Sequence, residues 1–366
     1  TVRELREWVE YCNFPGDSTL SAQRAADGRR AGNGVDPLNI TYWSIGNENW
    51  GCGGSFSPED YCTEFRRYAT FVRSFGHPLY VIACGPSGND VEWTTRFFRK
   101  LRKDYWDFRN IHAFAAHYYC GTAGTATEYT VDQWYELIAK GLKMEPLVVQ
   151  QRAAMDAYDP QRKIDLIVDE WGTWHPVEAG TNPRFLYQQS SLRDALVAAT
   201  TLDIFNRHAD KVTMSNIAQM VNVLQAMILT EGEGMLVTPT GHVYEMYAPH
   251  QDGLAVRTLV ESDEINFEKG TLSAVAGSAS IKDKTLFLTL TNSHAQDEIE
   301  VTVSLLDGAS ADSGIARVLT GDIHAHNTFV QPQVVCPQGW PVNASDSSFV
   351  IALPPASVVA VEIELE

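Results

Sequence analysis

An α/β barrel followed by an antiparallel β-sandwich is the architecture that these 366 residues predict, on three observations. Strand-like and helix-like runs alternate from residue 1 to about 225, which is the pattern of βα units building a parallel sheet. After about residue 235 the texture changes to short alternating runs, such as 284–291 and 298–305, with Gly, Asp, Asn and Pro between them. Two early strand-like runs close on a glutamate, Glu48 and Glu170, and a carboxylate at the carboxyl end of a barrel strand points into the mouth where sites are built.

The predicted strands are 38–46, 78–85, 111–118, 163–169 and 211–217. Short apolar runs are ambiguous singly, and their repetition makes the argument. Between the first two lies a helix with Ser57 as N-cap, Pro58 at its first position, Asp60 in the capping-box place, an apolar face of Tyr61, Phe65, Tyr68, Val72 and Phe75, and Gly76 as stop. A long helical segment is expected over 131–156, beginning beside Asp132, and another over about 189–208 with Leu192, Ala195, Leu196, Ala199, Leu202 and Phe205 at helical spacing. The domain division is 1–235 for the barrel portion and 236–366 for the sandwich.

Five strands cannot close a barrel of eight. The opening amphipathic helix, 2–11, resembles one that follows a strand, and Thr1 is not a start methionine, so three further βα units are expected ahead of Thr1. An open doubly wound sheet is the alternative.

Composition narrows the function classes. The chain is 44% hydrophobic and 20% charged, as a globular protein is, and its formal net charge of −18 excludes nucleic acid, whose phosphates require a basic surface. No run reaches the roughly 18 consecutive apolar residues of a membrane helix. Six cysteines form no CxxC pair, and HExxH, EF-hand and spaced His/Cys patterns are absent, so no metal and no other cofactor is expected. A serine hydrolase lacks its GxSxG elbow.

The chemistry lies at the strand ends. Glu48 enters a glycine-rich loop, 51–54, where backbone can approach a ligand closely; with Trp43 and Trp50 near it in sequence, partial desolvation and a general-acid role are expected. Glu170 has Trp171 and Trp174 beside it, aromatics suited to stacking on a sugar ring. His117 and Tyr119 close the third strand and Gln225 lies in an amide-rich stretch after the fifth, groups able to bind hydroxyls, although each residue type also serves in cores and caps. Two carboxylates so placed point to acid/base work on a glycosidic bond.

Four ordered motifs carry a resemblance: IGNENWGCGG after the first strand, HYY after the third, VDEWGTW after the fourth and SNIAQMVNVLQAMILTEG after the fifth. Together they resemble the α-L-arabinofuranosidases of glycoside hydrolase family 51, over nearly the whole chain. The resemblance implies a retaining enzyme acting on arabinofuranose-bearing saccharides, with Glu48 as acid/base after barrel strand four and Glu170 as nucleophile after strand seven. It implies that Asn47 binds the sugar 2-hydroxyl, that Tyr119 stands near the nucleophile, that Trp174 and Gln225 contact the sugar, and that His117 belongs to the same motif. It also implies a homo-oligomer, often intracellular, and further sugar-binding residues on early strands that this sequence does not contain. The rival readings are a related barrel glycosidase, such as an endo-glucanase or β-xylosidase, and a non-catalytic carbohydrate-binding protein.

Overall fold

A computed structural model describes residues 1–104, 110–306 and 308–366. Five strands form one sheet in the order β1 (Tyr42–Ile45), β2 (Tyr80–Ser87), β3 (Ala113–Gly121), β4 (Asp165–Trp174), β5 (Val212–Ile217). β1 pairs with β2 and β2 with β3 in parallel. Strand order that follows chain order without reversal is that of a barrel wall; a doubly wound sheet reverses at a switch point. All five expected strands are present, with shifted ends.

Helices alternate with the strands: α1 (Val2–Asn13), α2 (Thr19–Arg30), α3 (Pro58–Phe71), α4 (Val91–Asp104), α5 (Val131–Gly141), α6 (Met144–Asp156), α7 (Leu192–Arg207) and α8 (Pro239–Tyr247). Three expectations need correction. α3 ends at Phe71, where Val72 turns extended, so Gly76 (φ +91°) lies beyond the helix; Val72 and Phe75 still pack on the Val9, Cys12 and Trp43 cluster. The segment 131–156 is two helices, because Pro146 lacks the N–H that a continuous helix would donate to the carbonyl of Leu142. β4 runs on to Trp174, which puts Glu170 inside the strand. α2, α4 and α8 were not anticipated, α8 falling in the stretch expected to be sandwich; α2 opens on a Ser18 cap that pairs with Ser21, a weaker sequence signal than Ser followed by Glu.

The chain forms two compact units. The first comprises Thr1–His117, Val149–Asp169 and Lys211–Met214. Its interior holds an aromatic group in which Phe97 stacks on Trp93 (5.9 Å) and meets Phe114 (5.1 Å), beside Tyr61 and Phe65. Buried Tyr61 donates its hydroxyl to the Ile45 carbonyl (2.6 Å) and accepts the Cys84 N–H (2.7 Å), which pins the end of β1 to the middle of β2.

The second unit comprises Tyr118–Val148, Glu170–Asp210 and Ser215–Glu366. Its sandwich contains strands β6 (Leu254–Val256), β7 (Val275–Lys282), β8 (Thr285–Asn292), β9 (Ile299–Ser304), β10 (Ala311–Leu319), β11 (Gln338–Trp340), β12 (Ser348–Leu353) and β13 (Ser357–Leu365). The larger sheet has the order β11-β10-β13-β8-β7-β6, and β9 pairs with β12. Alternation works as the period of two requires. Leu286, Leu288 and Leu290 enter the core with Phe349, Ile351, Val359 and Val361, while Thr289 faces α7 and donates to Asp203.

Candidate active site

The two glutamates belong to different units and are held in different ways. In the first unit Glu48 lies three residues past β1, in a loop built on glycine. A Cβ on Gly46 (φ +93°) would sit 2.1 Å from Asn49 Oδ1, and one on Gly53 would sit 1.8 Å from the Asn47 carbonyl oxygen, so neither position admits a side chain without moving the loop. The Glu48 carbonyl accepts N–H groups from Gly51 (2.8 Å) and Gly53 (3.0 Å), and buried Asn49 donates to the Gly53 carbonyl (3.0 Å). Glu48 itself has φ +44°, a sparsely populated conformation for a side chain of its size.

The Glu48 carboxylate has two partners in this unit. His117 Nδ1 lies 3.2 Å from Oε1, and the Cys52 thiol donates to Oε2 at 3.3 Å. On the far side of the ring, His117 Nε2 is 3.1 Å from Asp169 Oδ1. Trp43, expected to shield Glu48, turns instead to Trp8 and the Val9 cluster. Asn47 is exposed at the bend. Cys84 lies under the loop and accepts the Asn49 N–H; burial pushes its thiol up to about 12, so it stays protonated.

In the second unit Glu170 sits on a regular strand. Tyr119 donates its hydroxyl to Glu170 Oε1 at 2.6 Å, and its ring meets Trp174 edge to face at 4.9 Å. Trp174 is 40% exposed and free to offer a sugar-stacking surface, whereas Trp171 is buried on Phe205 and has no such face to offer. The structure thus gathers Glu48 with His117, and Glu170 with Tyr119 and Trp174.

Gln225 corrects the expectation of a sugar contact. It is wholly buried; its carbonyl accepts the Thr173 N–H (2.8 Å), and its amide donates to the Asp194 carbonyl (2.7 Å) and Thr240 Oγ1 (3.1 Å). Its work is to fasten the end of β4. Asp194 completes that fastening: it accepts from Thr173 Oγ1 (2.6 Å) and from the Ser191 N–H (2.7 Å), and meets His175 Nε2 at 2.8 Å. Burial alone would raise the Asp194 carboxyl, yet His175, Arg193 and the Thr173 hydroxyl hold it at about 2.

Asp169 and Cys52 are the residues that sequence reasoning missed. Both stand inside quoted motifs, but only tertiary contact reveals which side chain each one meets.

Comparison with known proteins agrees with this frame. A family described as "Alpha-L-arabinofuranosidase C-terminal domain" matches residues 169–357, and one described as "Alpha-L-arabinofuranosidase 1 domain" matches residues 1–135. An intracellular exo-α-L-arabinofuranosidase of Bacteroides ovatus is 36% identical over 100% of this chain and 70% of its own length. An intracellular exo-α-(1→5)-L-arabinofuranosidase of Streptomyces lividans is 26% identical over 97% of the chain, which spans 54% of that relative. The crystal structure of the family 51 arabinofuranosidase from Xanthomonas axonopodis pv. citri superposes with a TM-score of 0.91 at 38% identity, covering 100% of this chain and 73% of that one. Barrel strands and sandwich are therefore those of this fold, and the chain belongs to the α-L-arabinofuranosidases of glycoside hydrolase family 51.

Proposed function

We propose that the full-length protein releases terminal α-L-arabinofuranosyl residues by double displacement, with Glu170 as nucleophile and Glu48 as acid/base. The carrying observation is the difference in partners. A phenol donor at 2.6 Å suits a carboxylate that must be ionised to attack, while a carboxyl facing an imidazole and a thiol suits one that gains and loses a proton.

Glu170 attacks the anomeric carbon as Glu48 protonates the departing oxygen; Glu48 then takes a proton from water, and the hydroxide displaces Glu170 with net retention. Asn47 and Trp174 contact the sugar in this reading. Residues 1–235 form the barrel portion and 236–366 the sandwich, and three further strands complete the barrel. The name of the Bacteroides ovatus relative supports exo action and, with that of the Streptomyces lividans relative, a cytoplasmic location. A homo-oligomer is part of the same reading and is tested by light scattering. Among the described residues no helix is long and apolar enough to cross a membrane.

Azide with an activated aryl arabinofuranoside separates the two roles. In the full-length protein Glu170→Ala should lose activity by on the order of 10⁴-fold and yield an inverted glycosyl azide. Glu48→Ala should yield the retained azide. Ordinary turnover by Glu170→Ala would sink the assignment.

A further inference from the structure

We infer that Thr122 is a positioning residue for the nucleophile: tied to the buried His175, its side chain sets the angle at which Tyr119 reaches Glu170. This rests on reading Glu170 as the nucleophile. The end of β3 carries Tyr119, with Thr122 three residues later; the end of β4 carries Trp174, with His175 next in the chain. Two side-chain contacts bridge these segments. The Tyr119 ring meets Trp174 edge to face at 4.9 Å, and Thr122 Oγ1 lies 2.9 Å from His175 Nδ1.

His175 is the fixed side of the second bridge. It is 2% exposed, its backbone N–H donates to Gln188 Oε1 at 2.8 Å, and its Nε2 lies 2.8 Å from Asp194 Oδ1, which also accepts the Thr173 hydroxyl. Thr122 is the side that the bridge holds. Its hydroxyl donates to the Gly124 carbonyl at 2.5 Å, so one oxygen both closes the turn after β3 and meets the imidazole.

A single edge-to-face contact leaves the two rings able to pivot on each other. A second contact between the same segments fixes the angle between them. The Tyr119 hydroxyl stands at the end of a long side chain, where a small tilt of the strand end becomes a large displacement, and its 2.6 Å bond to Glu170 Oε1 tolerates little of that. The backbone of the same turn has separate holds. Arg193 donates to the Ala123 and Thr125 carbonyls (2.7 Å each), and Lys140 donates to those of Gly121 (3.1 Å) and Thr122 (3.2 Å). Loss of the Thr122 hydroxyl leaves these in place, so the turn stays docked while the phenol loses its register.

The test is a double-mutant cycle in the full-length protein, read as kcat on an activated aryl α-L-arabinofuranoside. Thr122→Val replaces the hydroxyl by a methyl and should lower kcat about fivefold; Thr122→Ser, which keeps the hydroxyl, should recover most of that loss. In a Tyr119→Phe background Thr122→Val should lower kcat by less than about twofold, because the hydroxyl that it positions is gone. Losses that multiply in the double variant overturn the inference. So does a Thr122→Ser variant no better than Thr122→Val, or a Tyr119→Phe variant with unaltered kcat, which would leave nothing to position. Should Thr122→Val fail to fold, Thr122→Ala completes the same cycle without the added methyl. Glu170→Ala with azide checks the underlying reading separately: an inverted glycosyl azide alongside multiplying losses rejects the role of Thr122 alone, whereas a retained azide means that the role given to Glu170 has failed.

Discussion

The Glu48 loop and the Glu170 strand solve the same problem, holding a carboxylate still, by opposite means. Glu48 depends on local backbone: two glycines without room for a side chain, a positive φ at the glutamate itself, and carbonyl bonds that close the loop on Gly51 and Gly53. Glu170 depends on what lies behind it: a ten-residue strand whose far end is fastened by the buried Gln225, Asp194 and His175 group. A loop made that way should fail in function while the fold survives. A strand held from behind should fail in stability first.

Breaking the fastening is the largest change in free energy. Asp194→Asn removes a buried charge that faces His175 and should cost about 3 to 5 kcal/mol, read as a fall in melting temperature. The pH dependence follows in sign. The folded carboxyl sits at about 2, below its ordinary value, so its contribution is present above about pH 4 and is lost as pH falls toward 2. Wild-type melting should drop across that window, and the Asn variant should lose that part of the slope. A variant with unchanged melting temperature would mean that β4 does not rely on this network.

The loop is attacked at Gly53. Gly53→Ala puts a Cβ where the Asn47 carbonyl oxygen lies and should displace Asn47 and Glu48 together, lowering kcat/KM by about 10²-fold with little change in melting temperature. Loss of melting temperature in proportion to activity would erase the contrast between the two regions. The smallest effect is expected at Tyr119→Phe, which leaves the strand and the Trp174 contact in place and removes one charged hydrogen bond. A decrease in kcat of about tenfold is expected in steady-state kinetics. An unchanged kcat would show that the strand alone suffices to prepare Glu170.

Much of the fold was legible because its signals are local. Repeating apolar runs located all five barrel strands, Ser57 and Pro58 marked the start of α3, and alternation marked the sandwich strands. The errors are local signals overruled. Pro146 broke a helix that periodicity alone would have continued, and β4 carried on past Glu170 because the network at its far end holds Thr173 and His175 in line. At the candidate site, motif and position singled out Glu48, Glu170, Tyr119 and Trp174, and the structure sets His117 beside Glu48, the Tyr119 hydroxyl on Glu170 and the Tyr119 ring against Trp174. Gln225 was placed on the sugar by resemblance, and only its three buried bonds show it to be a fastener.

Sequence by itself determined the alternation of elements, the glycine-bounded loop after β1 and the family, since each is written in residue types at near spacing. Tertiary structure decided the partners: which ring faces Glu48, which phenol meets Glu170, and that Asp169 stands behind His117. Those pairings join residues 51 to 69 positions apart, and contact geometry at about 3 Å is set by how strands and loops pack, which no short run of sequence encodes.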